Sequence, residues 1–519
     1  MNRTEQINNL KRDQAKTWDI IVIGGGATGM GVALDSSSRG FSTLLLEESD
    51  FASGTSSRST KLVHGGVRYL AKGDLWLVRE ALHERGLMLR NAPHLTSNQE
   101  FIIPLYSLFD VVQYYAGLKF YDLLSGTLSL GKSYFINSDK VIERLPNLKK
   151  EGLRGGIVYH DGQFDDSRMV ISLAGECVNR GATVLNYFRV TGLTKNAQGM
   201  ISGVTAQEMI SGNEYRLSAR VVINATGVFA DSVSHMDNPQ SEPSIRPSQG
   251  IHLVLDRSFL QSTSAIMIPK TDDGRVLFCI PWYNEVVVGT TDTPLNLISR
   301  EPKALEEEIG FILRTAAAYL NKAPAREDVL SIFAGLRPLA ANPSNPAATK
   351  EVSRRHKITL SPSGLLSVFG GKWTTYRRMA EETIDRAAKA GLIEKRKCIT
   401  THLPLCDKSS LTSDGRFKIY GNGSAEIERM ISGDPSSGLR VHRDLPYTRA
   451  ELTWICRNEM PVSTADVLSR RTRALILNAR ASAEIAPEVT RIMAETLGYD
   501  QLWQAGQLKS FNEELENYL

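Results

Sequence analysis

The chain has 519 residues, with 61 Lys and Arg against 57 Asp and Glu, a formal net charge of +4. That length supports a large buried core and two or three domains. The small charge excludes a nucleic-acid binder that works by bulk electrostatics, while basic residues remain free to cluster around a local anion or a membrane surface. The five cysteines (Cys177, Cys279, Cys398, Cys406 and Cys456) are scattered and odd in number, which fits a reducing compartment. Cys398, His402 and Cys406 recur every four residues, but Pro404 interrupts any helix and no fourth ligand is evident, so no metal is expected.

In chain order, residues 1–17 are polar, lack the apolar core of a secretion signal and read as an arm. An apolar run, Ile20 to Ile23, leads into Gly24-Gly25-Gly26-Ala27-Thr28-Gly29, then a helix, then a second strand, Ser42 to Leu46, ending in Glu47. Helical periodicity recurs over Asp74 to Arg90 and Asp166 to Arg180, the latter closed by Gly181. The stretch Phe101 to Leu124 carries Asp110, Lys119 and Asp122, which argues against a span. It reads as a buried helix pair with a loop, or as an amphipathic surface that dips into a bilayer interface. Alternating segments follow Gly181, then the apolar strand Arg220 to Asn224 running into Ala225-Thr226-Gly227. Residues 250–295 alternate strongly and predict a second sheet; a charged helix spans Pro302 to Asn321. A hairpin from Ile358 to Phe369 runs into Gly370-Gly371 and a helix through Ala390, and residues 392–519 read as mostly helical and separate.

Gly24, Gly26 and Gly29 fit G-x-G-x-x-G in its strand–turn–helix context, the pattern that admits a pyrophosphate to a helix N-terminus. Glu47 lies where a carboxylate holds ribose hydroxyls and disfavours a 2′-phosphate. Two later elements turn the dinucleotide into FAD. Ala225 and Gly227 allow close backbone approach, and Gly370, Gly371 and Thr374 begin a helix aimed at the flavin pyrimidine edge. A polar, Gly-rich stretch at 56–70 supplies Ser59, Lys61, His64 and Gly66 beside the cofactor, with Arg68 and Tyr69 facing a substrate space. Arg337, Arg354, Arg355 and Lys372 are further cations of the kind that bind a dianionic phosphate.

These segments resemble the FAD-dependent, quinone-linked glycerol-3-phosphate dehydrogenases over nearly the whole length. The likeness runs through VIGGGATG (22–29), STKLVHGGVRYL (59–70), YHDGQFDDSRMVI (159–171), NATGVFAD (224–231), PSQGIHLVLD (247–256), IPWYNEVVVGTTDT (280–293), AGLRPL (334–339), SVFGGKWTTYRRMAE (367–381) and the C-terminal residues 448–473. The resemblance implies an α/β FAD-binding Rossmann-like domain (18–100, 150–245 and 335–391), an inserted mixed-sheet substrate domain of amino-acid-oxidase type (101–149 and 246–334) and a C-terminal helical domain (392–519). It implies oxidation of sn-glycerol 3-phosphate to dihydroxyacetone phosphate by hydride transfer to flavin N5. Electrons would pass to ubiquinone or menaquinone, on an enzyme held peripherally at the cytoplasmic face of the inner membrane, with a homodimer open. Carried over by motif, Arg68, Tyr69, Arg337, Arg354 and Lys372 form the substrate set. His64 and His252 are the candidate proton acceptors, with Arg337 as the electrostatic alternative. Ser248-Gln249-Gly250-Ile251-His252 departs from a Lys-bearing run in many relatives. The competing readings are a glycerol-3-phosphate oxidase that reduces oxygen to peroxide, an amine or amino-acid oxidase, and a non-catalytic FAD-binding protein.

Overall fold

The computed structural model describes all residues except 68–73, 270, 272–273, 296, 342–355 and 408–414. Among the described residues, eight strands form one sheet, whose central path runs 356–360, 366–370, 214–224, 17–23, 43–46 and 183–185. Its core strands are parallel: Thr17–Ile23 pairs with both Glu214–Asn224 and Thr43–Leu46, and Asn224 reaches Ser367 of the next strand. Burial of Ile20, Ile21, Val22, Leu44 and Leu45 on both faces explains their unbroken apolar run. The helices Ala27–Ser38, Asp166–Asn179 and Tyr376–Lys389 pack over this sheet through Met30, Val170, Leu173, Met379 and Ile384.

A second, ten-stranded mixed sheet holds Ile245–Asp256 between Val329–Ala340 on one side and Glu285–Gly289 and Thr293–Pro294 on the other. It continues through Leu277–Trp282, Ala265–Ile268, Thr96–Leu105, Gly155–Phe164 and Leu62–Val63.

Three expectations change. The segment 101–124 is not a helix pair: Phe101 to Leu105 ends the strand Thr96–Leu105, and the helix is Leu108–Ser125. A strand buried on both faces lacks alternation and resembles a buried helix in sequence. Residues 1–17 are not a loose arm: Arg3–Arg12 is a helix whose Leu10 is fully buried, with Arg3 paired to Glu208 at 2.5 Å. Nor do the C-terminal helices stand apart. Their core takes in Val254, Trp282, Val287 and Phe333 of the second sheet together with Trp454, Ile455, Leu468, Leu475 and Val489. Among the described residues no helix is long and apolar enough to cross a membrane, and none group as a metal site. Cys406 Sγ instead meets His94 Nδ1 at 3.1 Å.

Candidate FAD and substrate site

The glycine loop lies at the carboxyl ends of the parallel strands, the place where open α/β sheets bind ligands. After Ile23 the chain turns at Gly24 with φ +110°, a conformation L side chains rarely adopt. A Cβ there would stand 2.6 Å from the Ala225 carbonyl oxygen, and one on Gly26 would stand 2.9 Å from Ser56 Oγ. On Gly29 it would strike the carbonyl of Gly24. The three glycines therefore keep bare the N-terminal turn of the helix Ala27–Ser38, whose free N–H groups favour an anion. Ser56 Oγ accepts from Ala27 N at 2.9 Å and fixes the opposite lip.

Glu47 follows the strand Thr43–Leu46, and its carboxylate accepts from Gly25 N at 2.5 Å and Ser49 N at 2.9 Å. Burial pushes the Glu47 carboxyl up to about 7, against those two N–H donors. An acid held beside the glycine loop is placed as a ribose acceptor must be, so the glycine cradle and Glu47 together fit FAD.

The far wall comes from late in the chain. Trp373 Nε1 donates to Ser56 O at 2.9 Å, and His64 N donates to Thr374 Oγ1 at 3.3 Å. Gly370 and Gly371 both have positive φ, as do Gly66 and Gly227. A Cβ on Gly371 would press within 2.5 Å of Met379 Sδ, so the turn into the helix requires glycine. Lys372 is partly buried at this turn. Segments 24–29, 56–66, 225–227 and 370–375 thus meet although hundreds of residues separate them.

One row of positions on the second sheet lies against residues 58–60, with His252 meeting Thr60 and Gly335 close to Arg58. Ile245–Asp256 and Val329–Ala340 pair with Ser248 opposite Arg337, Gly250 opposite Gly335, and His252 opposite Phe333. The period of two puts all six on one face. A Cβ on Gly250 would hit the Arg337 guanidinium, and one on Gly289 would hit the His252 ring, so these glycines make room for both groups. The Arg337 guanidinium is 23% exposed. It is oriented by Gln249 O at 3.1 Å, Thr290 Oγ1 at 3.0 Å, Thr291 O at 3.0 Å and Asp292 at 3.3 Å. His252 stacks on Phe333 at 4.8 Å and places Nε2 2.9 Å from Thr60 Oγ1. Burial holds its pKa well below the usual range, and the positive charges of Lys61 and Arg337 add to this, so the imidazole stays neutral.

Lys61 and Ser59 lie elsewhere than a direct cofactor contact requires. Lys61 is fully buried and donates to Asp166 Oδ2 and Ser57 O, both at 2.7 Å, with Phe333 and Trp282 rings over its ammonium. Burial pushes Lys61 down to about 7, with Asp166 opposing. Ser59 donates to the same Asp166 oxygen at 2.7 Å. The side chains of both residues serve Asp166, and their backbone is engaged as well: Ser59 N donates to Asp166 at 3.0 Å, Lys61 N donates to Ser59 Oγ at 3.1 Å, and Lys61 O accepts from Phe164 N at 3.0 Å. Arg68, Tyr69, Arg354 and Arg355 lie outside the described residues. Sequence reasoning passed over Ser56, Phe333, Asp166 and Arg473. The doubled acid Asp165-Asp166, just ahead of the apolar run Met169 to Ile171, was the available signal for the buried ion cluster.

Comparison with known proteins agrees with this geometry. The family model of FAD dependent oxidoreductases matches residues 19–377, and that of the C-terminal domain of alpha-glycerophosphate oxidase matches 368–503. A probable mitochondrial glycerol-3-phosphate dehydrogenase of Caenorhabditis elegans is 40% identical over 98% of this chain and 74% of its own length. The mitochondrial glycerol-3-phosphate dehydrogenase of Homo sapiens is 38% identical over 95% of this chain and 72% of its own. The structure of a glycerol-3-phosphate dehydrogenase from Bacillus halodurans complexed with FAD superposes with a TM-score of 0.80 at 29% identity, covering 99% of this chain and 98% of that one. The cofactor is FAD. With a nucleotide sheet, a mixed substrate-side sheet and a C-terminal helical domain in common, this chain belongs to the FAD-dependent oxidoreductases, within the glycerol-3-phosphate dehydrogenase family.

Proposed function

We propose that the protein oxidises sn-glycerol 3-phosphate to dihydroxyacetone phosphate and passes the electrons to a membrane quinone. The observation that carries this reading is the likeness to proteins named glycerol-3-phosphate dehydrogenase across 98% of the chain. Bound FAD supplies the hydride acceptor. Every other task falls to the protein. Arg337, already oriented by four partners, binds the substrate's oxygen anions without further reorganisation. Lys372, and by resemblance Arg68, Tyr69 and Arg354, complete the phosphate grip that fixes the reacting carbon. His252, kept neutral by burial, takes the proton of the C2 hydroxyl, and Thr60 orients its ring through Nε2. His64 contributes through its backbone, beside Thr374.

The membrane contact we assign to the helix Leu108–Ser125. Its outward stripe, Phe109, Val112, Phe120 and Leu123, is exposed, Phe109 to 76% and Leu123 to 74%. Such an apolar face beside exposed Lys119 suits the interface of a bilayer, where the quinone resides.

Anaerobic mixing of the yellow protein with glycerol 3-phosphate tests the reaction: the flavin band bleaches, and a short-chain quinone restores it. No bleaching with this substrate, but bleaching with an amino acid, would sink the reading. The C-terminal match to a glycerophosphate oxidase domain makes oxygen the rival acceptor. Reoxidation in air as fast as with quinone would establish that rival.

A further inference from the structure

The C-terminal segment Arg470-Arg471-Thr472-Arg473 places three arginines within four positions, and all three are buried. Arginine is almost never buried unless paired, so their partners define what the segment does. Arg471 grips Asp50 with a two-pronged contact, Nη1 to Oδ2 at 2.6 Å and Nη2 to Oδ1 at 2.9 Å. Arg470 Nε adds a third bond to Asp50 Oδ2 at 2.7 Å, and its Nη2 turns back to Asp466 at 2.5 Å. Arg473 donates from Nη2 to Ser57 O at 2.8 Å and to Asp166 Oδ1 at 2.9 Å. It does so from a left-handed backbone, φ +68°, which a side-chain-bearing residue keeps only where its surroundings enforce it.

Both acids belong to the frame of the cofactor site. Asp50 stands three residues beyond Glu47, and Ser49 N, in between, donates to the Glu47 carboxylate. Asp166 holds Ser59 through N at 3.0 Å and Oγ at 2.7 Å. Between these two anchors lies Ser56, which caps the glycine-loop helix and accepts from Trp373. The segment 47–64 is thus pinned near both ends by buried residues.

We propose that residues 466–473 are a latch that sets the shape of the cofactor-lining segment 47–64, so that retention of FAD depends on Arg471 and Arg473. They are positioning residues: they act through Asp50 and Asp166 on Glu47, Ser56 and Ser59. The planar fork matters as well as the charge at Arg471, whose Nη1 and Nη2 hold the two Asp50 oxygens while Nε and Nη2 also donate to Glu459 O, a set of fixed directions that one ammonium does not reproduce.

The test compares Arg473→Gln, Arg473→Lys and Arg471→Lys with a control, Arg491→Gln, whose partners Glu488 and Glu495 lie on the exposed face of the same domain. The full chain is stripped of flavin and titrated with FAD by fluorescence, and Tm is recorded with and without excess FAD. Arg473→Gln should raise the Kd for FAD by about tenfold or more, and the two lysine variants by about threefold. The Tm gain on adding FAD should shrink in all three and stay unchanged in the control. The latch is overturned if the folded variants bind FAD within about twofold of the parent. It is equally overturned if Tm falls by the same amount with and without FAD, which marks a purely structural contact. Should Arg473→Gln fail to fold, the lysine variants decide by the same criteria.

Discussion

Burial acts on His252 and Glu47 in opposite senses. His252 is held neutral well below its ordinary value of 6.5 by burial, with Lys61 and Arg337 adding to it. The unfolded chain therefore binds a proton below pH 6.5 that the folded one does not, and stability falls as pH drops through that value. His252→Asn should flatten this acid limb in urea unfolding and lower turnover on the order of 10²–10⁴-fold with FAD content unchanged. A full acid limb and near-normal turnover in the variant would remove His252 from the reaction. For Glu47, raised from 4.5 to about 7, the folded state holds a proton that the unfolded state has lost. Its contribution is fully present below pH 4.5 and is lost as pH rises through about 7. The ionised form is the better acceptor for ribose hydroxyls, so FAD should bind more tightly as pH rises toward 7, by up to about tenfold per pH unit. Glu47→Gln should make FAD affinity nearly independent of pH, as fluorescence titrations from acid to neutral would reveal.

The helix Leu108–Ser125 is apolar on two faces. Its inner face is committed: Leu118 and Tyr121 are buried, and Tyr121 OH bonds Asp161 at 2.8 Å and accepts from Gly65 N at 2.9 Å. Only the outer stripe is left for a bilayer. Phe109→Glu combined with Leu123→Glu should therefore weaken sedimentation with liposomes by about tenfold or more, each buried apolar side chain contributing about 1.5–3 kcal/mol. Flavin content should not change. Undiminished sedimentation would move the contact to another surface. This element also marks how far the sequence could be read. The amphipathic character was visible, but Phe101 to Leu105, the end of the strand Thr96–Leu105, was taken for helix. Pro104 deepened that ambiguity, because proline belongs in a sheet only where a ladder bond is not required. It pairs with Gly156 on one side, beyond the short pairing of Phe101 and Ile102 with Ala265 and Ile266 on the other.

At the scale of the whole molecule, the glycine loop, Glu47, the Gly370-Gly371 turn and the strand that carries His252 were legible because their demands leave marks in the sequence, whereas its partner Val329–Ala340 was not read as a strand. The ion clusters around Asp50 and Asp166 were not, since partners such as Asp50 and Arg471 are joined only by tertiary packing. Those clusters, with the buried pair Arg168–Glu459, tie the C-terminal helices to the nucleotide sheet. Breaking one such pair costs about 3–5 kcal/mol. Phe333 extends the tie: it stacks on His252 and also belongs to the C-terminal core. The sheets and the C-terminal helices should therefore unfold as one unit. Urea transitions followed separately through Trp18, on the nucleotide sheet, and Trp454, in the C-terminal core, by replacing the remaining tryptophans with phenylalanine, should coincide. Two separated midpoints would mean independently stable domains.

The central parallel sheet has one consequence for how the molecule comes into being. Thr17–Ile23 is synthesised early, yet the sheet it belongs to also needs Glu214–Asn224 and Leu366–Gly370. Chains elongate at about 5–20 residues per second, so the glycine loop waits on the order of half a minute on the ribosome for its opposite wall. Through that interval the apolar edge of Ile20 to Ile23 lacks its final neighbours, and a cell short of chaperones should lose this protein to aggregation before it loses it to cofactor starvation.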